Sequence, residues 1–255
     1  MLRTENLSFQ YGDGFSLENI SFEAKAGQIT SIIGANGAGK TTLLKCIAGL
    51  HKSSGLVEVN GVDARFQSWS ETFAQIGYLD QSTDLGVDLT VFEVILLGRL
   101  RRLSFHVSDE DIERVNRTME LMNITKYAGR KISALSGGQR QLVFIAQTLI
   151  KEPKILILDE PTSALDLNRQ FRLMDFLKDI THEKNYATVM TLHHLDLAAQ
   201  YSDHVVVVTN GRLYGCGSPG EMITSRMLRD VYEVEAEIYK DRNGNRHIAS
   251  LGPCT

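Results

Sequence analysis

The chain has 255 residues, of which 43% are hydrophobic, and these figures are typical of one large globular domain or two small ones. Its 27 basic and 31 acidic residues give a net charge of −4, so it lacks the positive field that nucleic-acid binding requires, and we expect no nucleic-acid partner. The three cysteines lie far apart without CxxC spacing, which argues against a disulfide framework or a zinc site.

The first sixty residues predict a β region. The stretches "LRTENLSFQY", "FSLENISFEA" and "GLVEVNG" are short, alternate in polarity and carry turn signals, so we expect an antiparallel β region packed on a main sheet. The N-terminus shows no signal-peptide pattern, and no apolar run is long enough to span a membrane. Any membrane role would therefore come through a partner, and the cysteine pattern fits a reducing cytoplasm.

The stretch "GANGAGKTT" (34–42) follows a strand-like run and precedes a helical one, and it matches the pattern G-x-x-x-x-G-K-[ST]. Glycines there let backbone N–H groups converge on a phosphate, Lys40 can reach the β- and γ-oxygens of ATP, and the Thr41 hydroxyl can bind Mg²⁺. The alternative, a glycine-rich turn with a chance lysine, is disfavoured by the flanking strand and helix. The predicted nucleotide-binding residues of this loop are Gly34, Asn36, Gly37, Gly39, Lys40, Thr41 and Thr42.

Residues from about 85 to 151 have an almost wholly helical pattern, which predicts a helical subdomain. Ser108 and Asp111 form a capping box at the start of one of its helices. The predicted apolar face of that helix consists of Ile112, Val115, Met119 and Met122.

The stretch "ALSGGQRQL" (134–142) places two glycines where another helix begins. Gly137 and Gly138 weaken a helix start by roughly 0.5–1 kcal/mol each relative to alanine. Ser136 and Gln139 fit a capping box, so the segment reads equally as an ordinary helix start or as an anion site built from exposed N–H groups.

The stretch "ILILDEPTSALD" (155–166) supplies two acids after a short buried strand. Asp159 then lies at the carboxyl edge of the sheet, where α/β folds bind ligands, and is placed to hold Mg²⁺. Glu160 is placed to orient and polarise an attacking water. The alternative is a pair of solvated acids before the turn that Pro161 favours.

Strand-like runs at 28–33, 154–158, 187–192 and 204–209 alternate with helical patterns, which indicates an α/β layer fold. Near the end, residues 219–231 look helical, and residues 234–251 look like a hairpin that turns at Asn243 and Gly244.

The motifs "GANGAGKT", "LSGGQ" and "LILDEP", in that order, resemble the nucleotide-binding subunits of ABC transporters. The resemblance covers nearly the whole chain. It implies one P-loop NTPase domain with a RecA-like parallel-sheet core and an N-terminal antiparallel β region (1–84 and 152–215), a helical signature subdomain (85–151), and a C-terminal helix and hairpin (216–255). It also implies ATP hydrolysis, with ATP and Mg²⁺ bound.

The resemblance gives roles to further residues. Tyr11 corresponds to the aromatic residue that stacks on adenine, although it could equally be an edge-strand tyrosine. Gln81 corresponds to the Q-loop glutamine, which senses Mg²⁺ and links the site to the membrane subunit. Asp166 corresponds to the aspartate that crosses the dimer interface, where the alternative is a helix cap. Residues of "LSGGQ" would bind the γ-phosphate of ATP held by a second copy; they are Ser136, Gly137, Gly138 and Gln139.

His193 corresponds by register to the switch histidine, which contacts the γ-phosphate, whereas His194 stands where an acidic or amide residue is expected. The resemblance therefore implies a homodimer with two ATP molecules between its subunits. Lys40, Glu160 and His193 are the predicted catalytic residues, and the predicted Mg²⁺ ligands are Thr41, Gln81 and Asp159.

Three longer stretches resemble importers of iron complexes, the ferric siderophore, haem and cobalamin systems. They are "DLTVFEVILLGR", "LHHLDLAAQYSDHVVVVTNGRL" and "GCGSPGEMITSRMLRDVYEVEAEI". This implies a peripheral subunit at the cytoplasmic face of the cell membrane, bound to an integral membrane permease and indirectly to a substrate-binding protein. The alternatives are an ATPase of another metal or small-solute importer, and a soluble ABC ATPase of the iron–sulfur assembly type.

Overall fold

The fold is that of a computed structural model, which describes residues 1–12, 14–64, 74–81, 88–99, 107–242, 244 and 246–254. The strands in these ranges are β1 (Leu2–Gln10), β2 (Ser16–Ala24), β3 (Gln28–Ile33), β4 (Ser54–Val59), β5 (Val62–Asp63), β6 (Ile76–Leu79), β7 (Ile155–Leu158), β8 (Ala187–Thr191), β9 (His204–Thr209), β10 (Arg212–Gly217), β11 (Val234–Lys240) and β12 (Arg246–Pro253). The helices are α1 (Lys40–Ile47), α2 (Val91–Leu97), α3 (Asp109–Leu121), α4 (Gly137–Leu149), α5 (Leu167–Lys184), α6 (Leu195–Tyr201), α7 (Pro219–Met222) and α8 (Ser225–Tyr232), with 3₁₀ turns at Thr125–Tyr127 and Ile132–Ala134.

The described strands include one ten-stranded sheet in the order β5-β4-β1-β2-β10-β9-β3-β8-β7-β6. From β9 to β6 all neighbours are parallel, whereas β5, β4, β1 and β2 pair antiparallel. These observations confirm the predicted α/β fold with a parallel core and an N-terminal antiparallel region. The antiparallel strands join the rest of the sheet where Arg212 of β10 pairs with Glu18 of β2.

Two apolar cores lie on opposite faces of the parallel strands. In β7, Leu156 and Leu158 belong to the core shared with the helical region, and Ile155 and Ile157 belong to the core shared with α1 and the antiparallel strands. This alternation follows from the two-residue period of a strand, since successive side chains point to opposite faces. Because both faces are covered, β7 is apolar throughout, and its end delivers the following residues to the sheet edge.

The helical region differs from its prediction at one position. The capping box of Ser108 and Asp111 begins α3, and Val115, Met119 and Met122 are buried. Ile112 is 40% exposed, so its assignment to the apolar face is wrong. Within this helix the buried residues are Val115 and Met119.

The C-terminal region is also more divided than predicted. The helix expected at 219–231 is interrupted, because Thr224 is in extended backbone and its hydroxyl accepts a hydrogen bond from the Met227 N–H, which starts α8 anew. Strands β11 and β12 form the expected hairpin, and Gly244 has φ of 85°. Asn243 lies outside the described residues.

None of the helices that the structure describes is both long and apolar enough to cross a membrane. The predicted boundary between residues 84 and 85 falls outside the described ranges, so the division into subdomains stays a prediction.

Two Asn–Gly turns offer a matched test of how the antiparallel region is joined to the core. Asn60–Gly61 and Asn210–Gly211 all have positive φ, but a Cβ on Gly61 would meet nothing within 4 Å, whereas a Cβ on Gly211 would lie 1.9 Å from the Ser16 carbonyl oxygen. We expect Gly61→Ala to lower the free energy of unfolding by about 1 kcal/mol through backbone strain. We expect Gly211→Ala to lower it by about 3 kcal/mol, because overpacking is added. Urea denaturation followed by circular dichroism measures both, and equal losses would contradict the close approach of β10 and β2.

Candidate nucleotide-binding site

The phosphate-binding loop connects β3 to α1, and its glycines are required for different reasons. A Cβ on Gly34, at φ of 154°, would lie 2.0 Å from the Val208 carbonyl oxygen. A Cβ on Gly39, at φ of 101°, would lie 2.5 Å from the Phe15 ring. Gly37 has open space around its Cβ position, so glycine is favoured there by its φ of 79° and not by a close contact.

Lys40 is the first residue of α1, and its ammonium group is held above this loop. Nζ donates hydrogen bonds to the carbonyl oxygens of Gly34, at 2.8 Å, and Ala35, at 3.0 Å. Burial lowers the pKa of Lys40, while the charges of Glu160 and Asp159 oppose the shift. The predicted nucleotide-binding residues Asn36 and Gly37 are exposed. Thr41 and Thr42 are half-buried in the first turn of α1, where backbone N–H groups attract anions.

Asp159 and Glu160 follow β7, and one buried hydroxyl contacts both. The Asp159 N–H donates to the Leu79 carbonyl of neighbouring β6. The Thr191 hydroxyl donates to Oδ1 of Asp159 at 2.6 Å and accepts from the Glu160 N–H at 2.8 Å. Sequence reasoning missed Thr191, and the only signal was a polar residue at the end of a buried strand, two positions before His193.

The residues around Asp159 fit a magnesium ion. Asp159 is 1% exposed, and its Oδ2 atom is buried with no hydrogen-bond partner among the described residues. Burial raises the pKa of Asp159, and the neighbouring hydroxyls of Thr191 and Thr41 oppose this rise. An orphaned carboxylate oxygen beside a threonine hydroxyl is the hard oxygen donor set that Mg²⁺ prefers. Thr41 and Asp159 would therefore hold the ion.

His193 lies directly against the second acid. Its Nε2 atom is in hydrogen-bond contact with Oε1 of Glu160, whose backbone has φ of 49°. His194 occupies the N-cap position of α6, is exposed and makes no capping hydrogen bond. The structure thus brings His193, the residue chosen by register, next to Glu160.

Gln81 lies at the same edge of the sheet, two residues beyond the end of β6. Leu79 pairs with Leu158, so Gln81 and Asp159 both follow the carboxyl ends of neighbouring parallel strands. Gln81 is exposed. Its predicted contact with Mg²⁺ stays a prediction.

Tyr11 lies at the turn between β1 and β2, which reaches the phosphate-binding loop through Phe15. The Tyr11 N–H donates to the Phe15 carbonyl, and the Phe15 ring packs at the Gly39 position. Tyr11 is 46% exposed, and its hydroxyl is 2.7 Å from Nε2 of His51. The Tyr11 ring packs edge-on against the rings of Phe9 and His51, and its stacking on adenine stays a prediction.

The signature segment, "LSGGQ" at residues 135–139, leads into α4 through the predicted capping box. The Ser136 hydroxyl accepts from the Gln139 N–H, and Oε1 of Gln139 accepts from the Ser136 N–H. A Cβ on Gly138 would lie 2.8 Å from the Leu165 side chain, so this glycine has a packing role, while Ser136 and Gly137 remain exposed. The amide nitrogen of the Gln139 side chain donates to the Tyr127 hydroxyl at 3.0 Å. Both interpretations of the segment therefore remain compatible with its geometry.

Asp166 is the N-cap of α5, since its Oδ1 accepts from the Arg169 N–H at 2.9 Å. Asp166 therefore caps a helix, which is one of its two predicted roles. Its other predicted role, at a dimer interface, stays a prediction. Asp166 is exposed, so it remains accessible to a partner.

A glycine-rich loop between a buried strand and a helix N-terminus, with a lysine bound to its carbonyls and two acids just after a nearby strand, defines a P-loop nucleoside-triphosphate-binding protein. Comparisons with known proteins narrow this class. The family model for the ABC transporter matches residues 17–163. The chain therefore belongs to the ABC transporter family, and it is an ATPase of that family.

Similar proteins align along almost the whole chain. An ABC transporter ATP-binding protein of Methanocaldococcus jannaschii is 39% identical, over 93% of each chain. The ferric enterobactin transport ATP-binding protein of Escherichia coli is 35% identical, over 94% of this chain and 90% of that protein. A solved structure of a metal-chelate type ABC transporter in an inward-facing conformation matches with a TM-score of 0.85 and 28% identity, over 98% of this chain and 97% of the other.

The buried Asp159 carboxylate predicts a pH-dependent stability of the metal-free protein. An unfolded aspartate ionises near pH 4. In the folded chain the raised pKa delays ionisation, so the folded state is penalised as the pH rises through the folded pKa. We expect Asp159→Asn to raise the Tm at pH 7 without nucleotide or metal, and this gain to vanish near pH 4. Differential scanning calorimetry measures it, with Asp179→Asn on the exposed face of α5 as the control for loss of one charge. A lower Tm for Asp159→Asn at pH 7 would contradict the prediction.

Proposed function

We propose that the chain is the ATP-hydrolysing subunit of an importer that takes up an iron complex, such as a siderophore or haem, or cobalamin. The observation that carries this proposal is the near full-length similarity to the ferric enterobactin transport ATP-binding protein. The likeness to a metal-chelate type transporter along 98% of the chain supports it. The substrate itself would bind to other subunits, so the proposal names a class of solute.

The site geometry supports the following hydrolysis mechanism. ATP binds with its phosphates along the N–H groups of residues 34–39, and Lys40 exchanges its two loop carbonyls for phosphate oxygens. Glu160 orients water and accepts its proton, and His193, which contacts Glu160, donates to the γ-phosphate. Mg²⁺, when bound, neutralises charge on the phosphate oxygens.

We propose further that a complete site needs two copies of the chain. The exposed Gly137 lies at the N-terminus of a 13-residue helix, which suits an anion, and the exposed Ser136 is the N-cap of that helix. Within the chain, the adjacent Gly138 packs against residues 164–165. A second copy would bring its phosphate-binding loop and ATP to this helix, and Asp166 would lie beside the same interface.

ATP-driven closure and hydrolysis-driven opening of the dimer would then be the mechanical output. Gln81 follows the strand next to Asp159, so its loop is the proposed link to an integral membrane permease at the cytoplasmic face of the membrane. A substrate-binding protein would take part indirectly, through the permease.

Glu160→Gln should trap the ATP-bound dimer, because ATP still binds while water is no longer activated. We expect the variant to elute as a dimer in size-exclusion chromatography with ATP and Mg²⁺, and as a monomer with ADP. Adding Ser136→Arg should abolish the dimer while the monomer still binds a fluorescent ATP analogue. Adding Lys40→Ala should abolish both dimer and nucleotide binding. A double variant Glu160→Gln/Ser136→Arg that dimerises normally would refute the shared site.

Capture from membranes tests the transport assignment. We expect tagged protein, incubated with detergent-solubilised native membranes, to retain an integral membrane protein with many helices, identified by mass spectrometry together with its bound solute. Recovery of an iron-complex or cobalamin permease would support the proposal. Recovery of a permease for another metal or small solute would correct the substrate class, and recovery of soluble assembly proteins alone would refute transport.

A further inference from the structure

The Thr191 hydroxyl contacts both Asp159 and Glu160, so it can set the geometry of these two acids at once. Thr191 is fully buried at the end of β8. It lies 2.6 Å from Oδ1 of Asp159 and 2.8 Å from the Glu160 backbone nitrogen. A side chain with one rotatable bond to its hydroxyl and no exposure has little freedom, so these two contacts constrain each other.

Hydrogen-bond chemistry fixes the direction of both contacts. The backbone N–H of Glu160 can only donate, so the Thr191 oxygen accepts from it. A hydroxyl carries one hydrogen, which is then free to point at the Asp159 carboxylate and bind Oδ1. Oδ1 is thereby engaged, and Oδ2, buried and without a partner among the described residues, is the oxygen left for a metal ion.

The same hydroxyl supports an unusual backbone conformation. Glu160 has φ of 49°, which is uncommon for a residue with a long side chain. Such strain persists only where surrounding contacts hold it. The hydrogen bond from the Glu160 N–H to Thr191 is one such contact, and the side chain of Glu160 then lies against His193, two residues after Thr191.

We propose that Thr191 is a positioning residue that sets the metal-facing oxygen of Asp159 and the water-facing carboxylate of Glu160 together. This inference rests on the proposed roles of these two acids in Mg²⁺ binding and hydrolysis. Thr191 touches neither substrate nor metal and acts through the two acids. The three-residue segment from Thr191 to His193 therefore links both acids to the histidine in one rigid unit.

Thr188 provides a matched control on the same strand. It is also fully buried, and its hydroxyl makes one hydrogen bond, at 2.6 Å, to the Thr181 hydroxyl of α5. Thr188 and Thr191 are an odd number of residues apart, so their side chains lie on opposite faces of β8. Replacing either threonine by valine removes one buried hydroxyl at nearly constant volume, but only Thr191→Val removes it from the acids.

The experiment compares the full-length wild type with Thr191→Val, Thr191→Ser and Thr188→Val. Steady-state ATPase assays give kcat and KM, and binding of a fluorescent ATP analogue is measured with Mg²⁺ and with EDTA. We expect Thr191→Val to lower kcat by about 10- to 100-fold, as loss of a group that orients a metal ligand does, with a much smaller change in KM. We also expect it to reduce the gain in nucleotide affinity that Mg²⁺ gives. Thr191→Ser should restore both properties, and Thr188→Val should keep both even if its Tm falls.

Two results would overturn the inference. In one, Thr191→Val keeps kcat and the Mg²⁺-dependent gain in affinity within about 2-fold of the wild type, well below the 10-fold expected for an orienting group. In the other, Thr188→Val loses as much as Thr191→Val, so that the loss reflects general destabilisation. A wild type without any Mg²⁺-dependent gain in nucleotide affinity would contradict the proposed role of Asp159 in Mg²⁺ binding. A Glu160→Gln variant that hydrolyses ATP as fast as the wild type would contradict the proposed role of Glu160. In either case the inference falls with that role.

Discussion

The register of three parallel strands is the constraint on which the rest of the site depends. Ile32 of β3 pairs with Thr191 of β8, and Leu158 of β7 pairs with Met190. The residues that follow each strand must then emerge at one edge, although those after β3 are more than a hundred residues along the chain from those after β7 and β8. A slip of one residue would reverse the faces of a strand, which the two apolar cores on either side of the sheet oppose.

Close backbone approach then connects this edge to the antiparallel region. The Gly211 N–H donates to the carbonyl of Ala38 in the phosphate-binding loop, and the Gly211 carbonyl accepts from the Glu18 N–H of β2. Phe15 packs where a side chain on Gly39 would be. The loop is thus held by backbone contacts and by a ring that leave no room for side chains at Gly34 and Gly39. These contacts constrain a segment that contains three positive-φ glycines.

The signature segment both caps α4 and lets that helix pack closely against the rest of the chain. Its capping box closes the N-terminus of α4 within the chain, and Gly138 allows the helix to approach residues 164–165. Gly137 needs no such approach, since the nearest atom to a Cβ there would be 3.6 Å away. An exposed glycine without an internal packing role is consistent with the proposed contact to a second copy of the chain.

By itself, the sequence determined the local features of the structure, which depend only on residues that are close together in the chain. The phosphate-binding loop, the capping boxes at Ser108 and Ser136 and the apolar strand before Asp159 are local patterns, and the structure contains each of them. Only the tertiary structure decided that Ile112 is exposed, that Gly138 meets Leu165, and that Thr191 bridges two acids 31 and 32 residues away. The physical reason is that burial and hydrogen-bond partners are set by which strands and helices become neighbours, and strand order is a property of the whole sheet. β8 holds two buried threonines, and nothing in the strand itself distinguishes Thr191 from Thr188 until the neighbouring strand places two carboxylic residues beside Thr191.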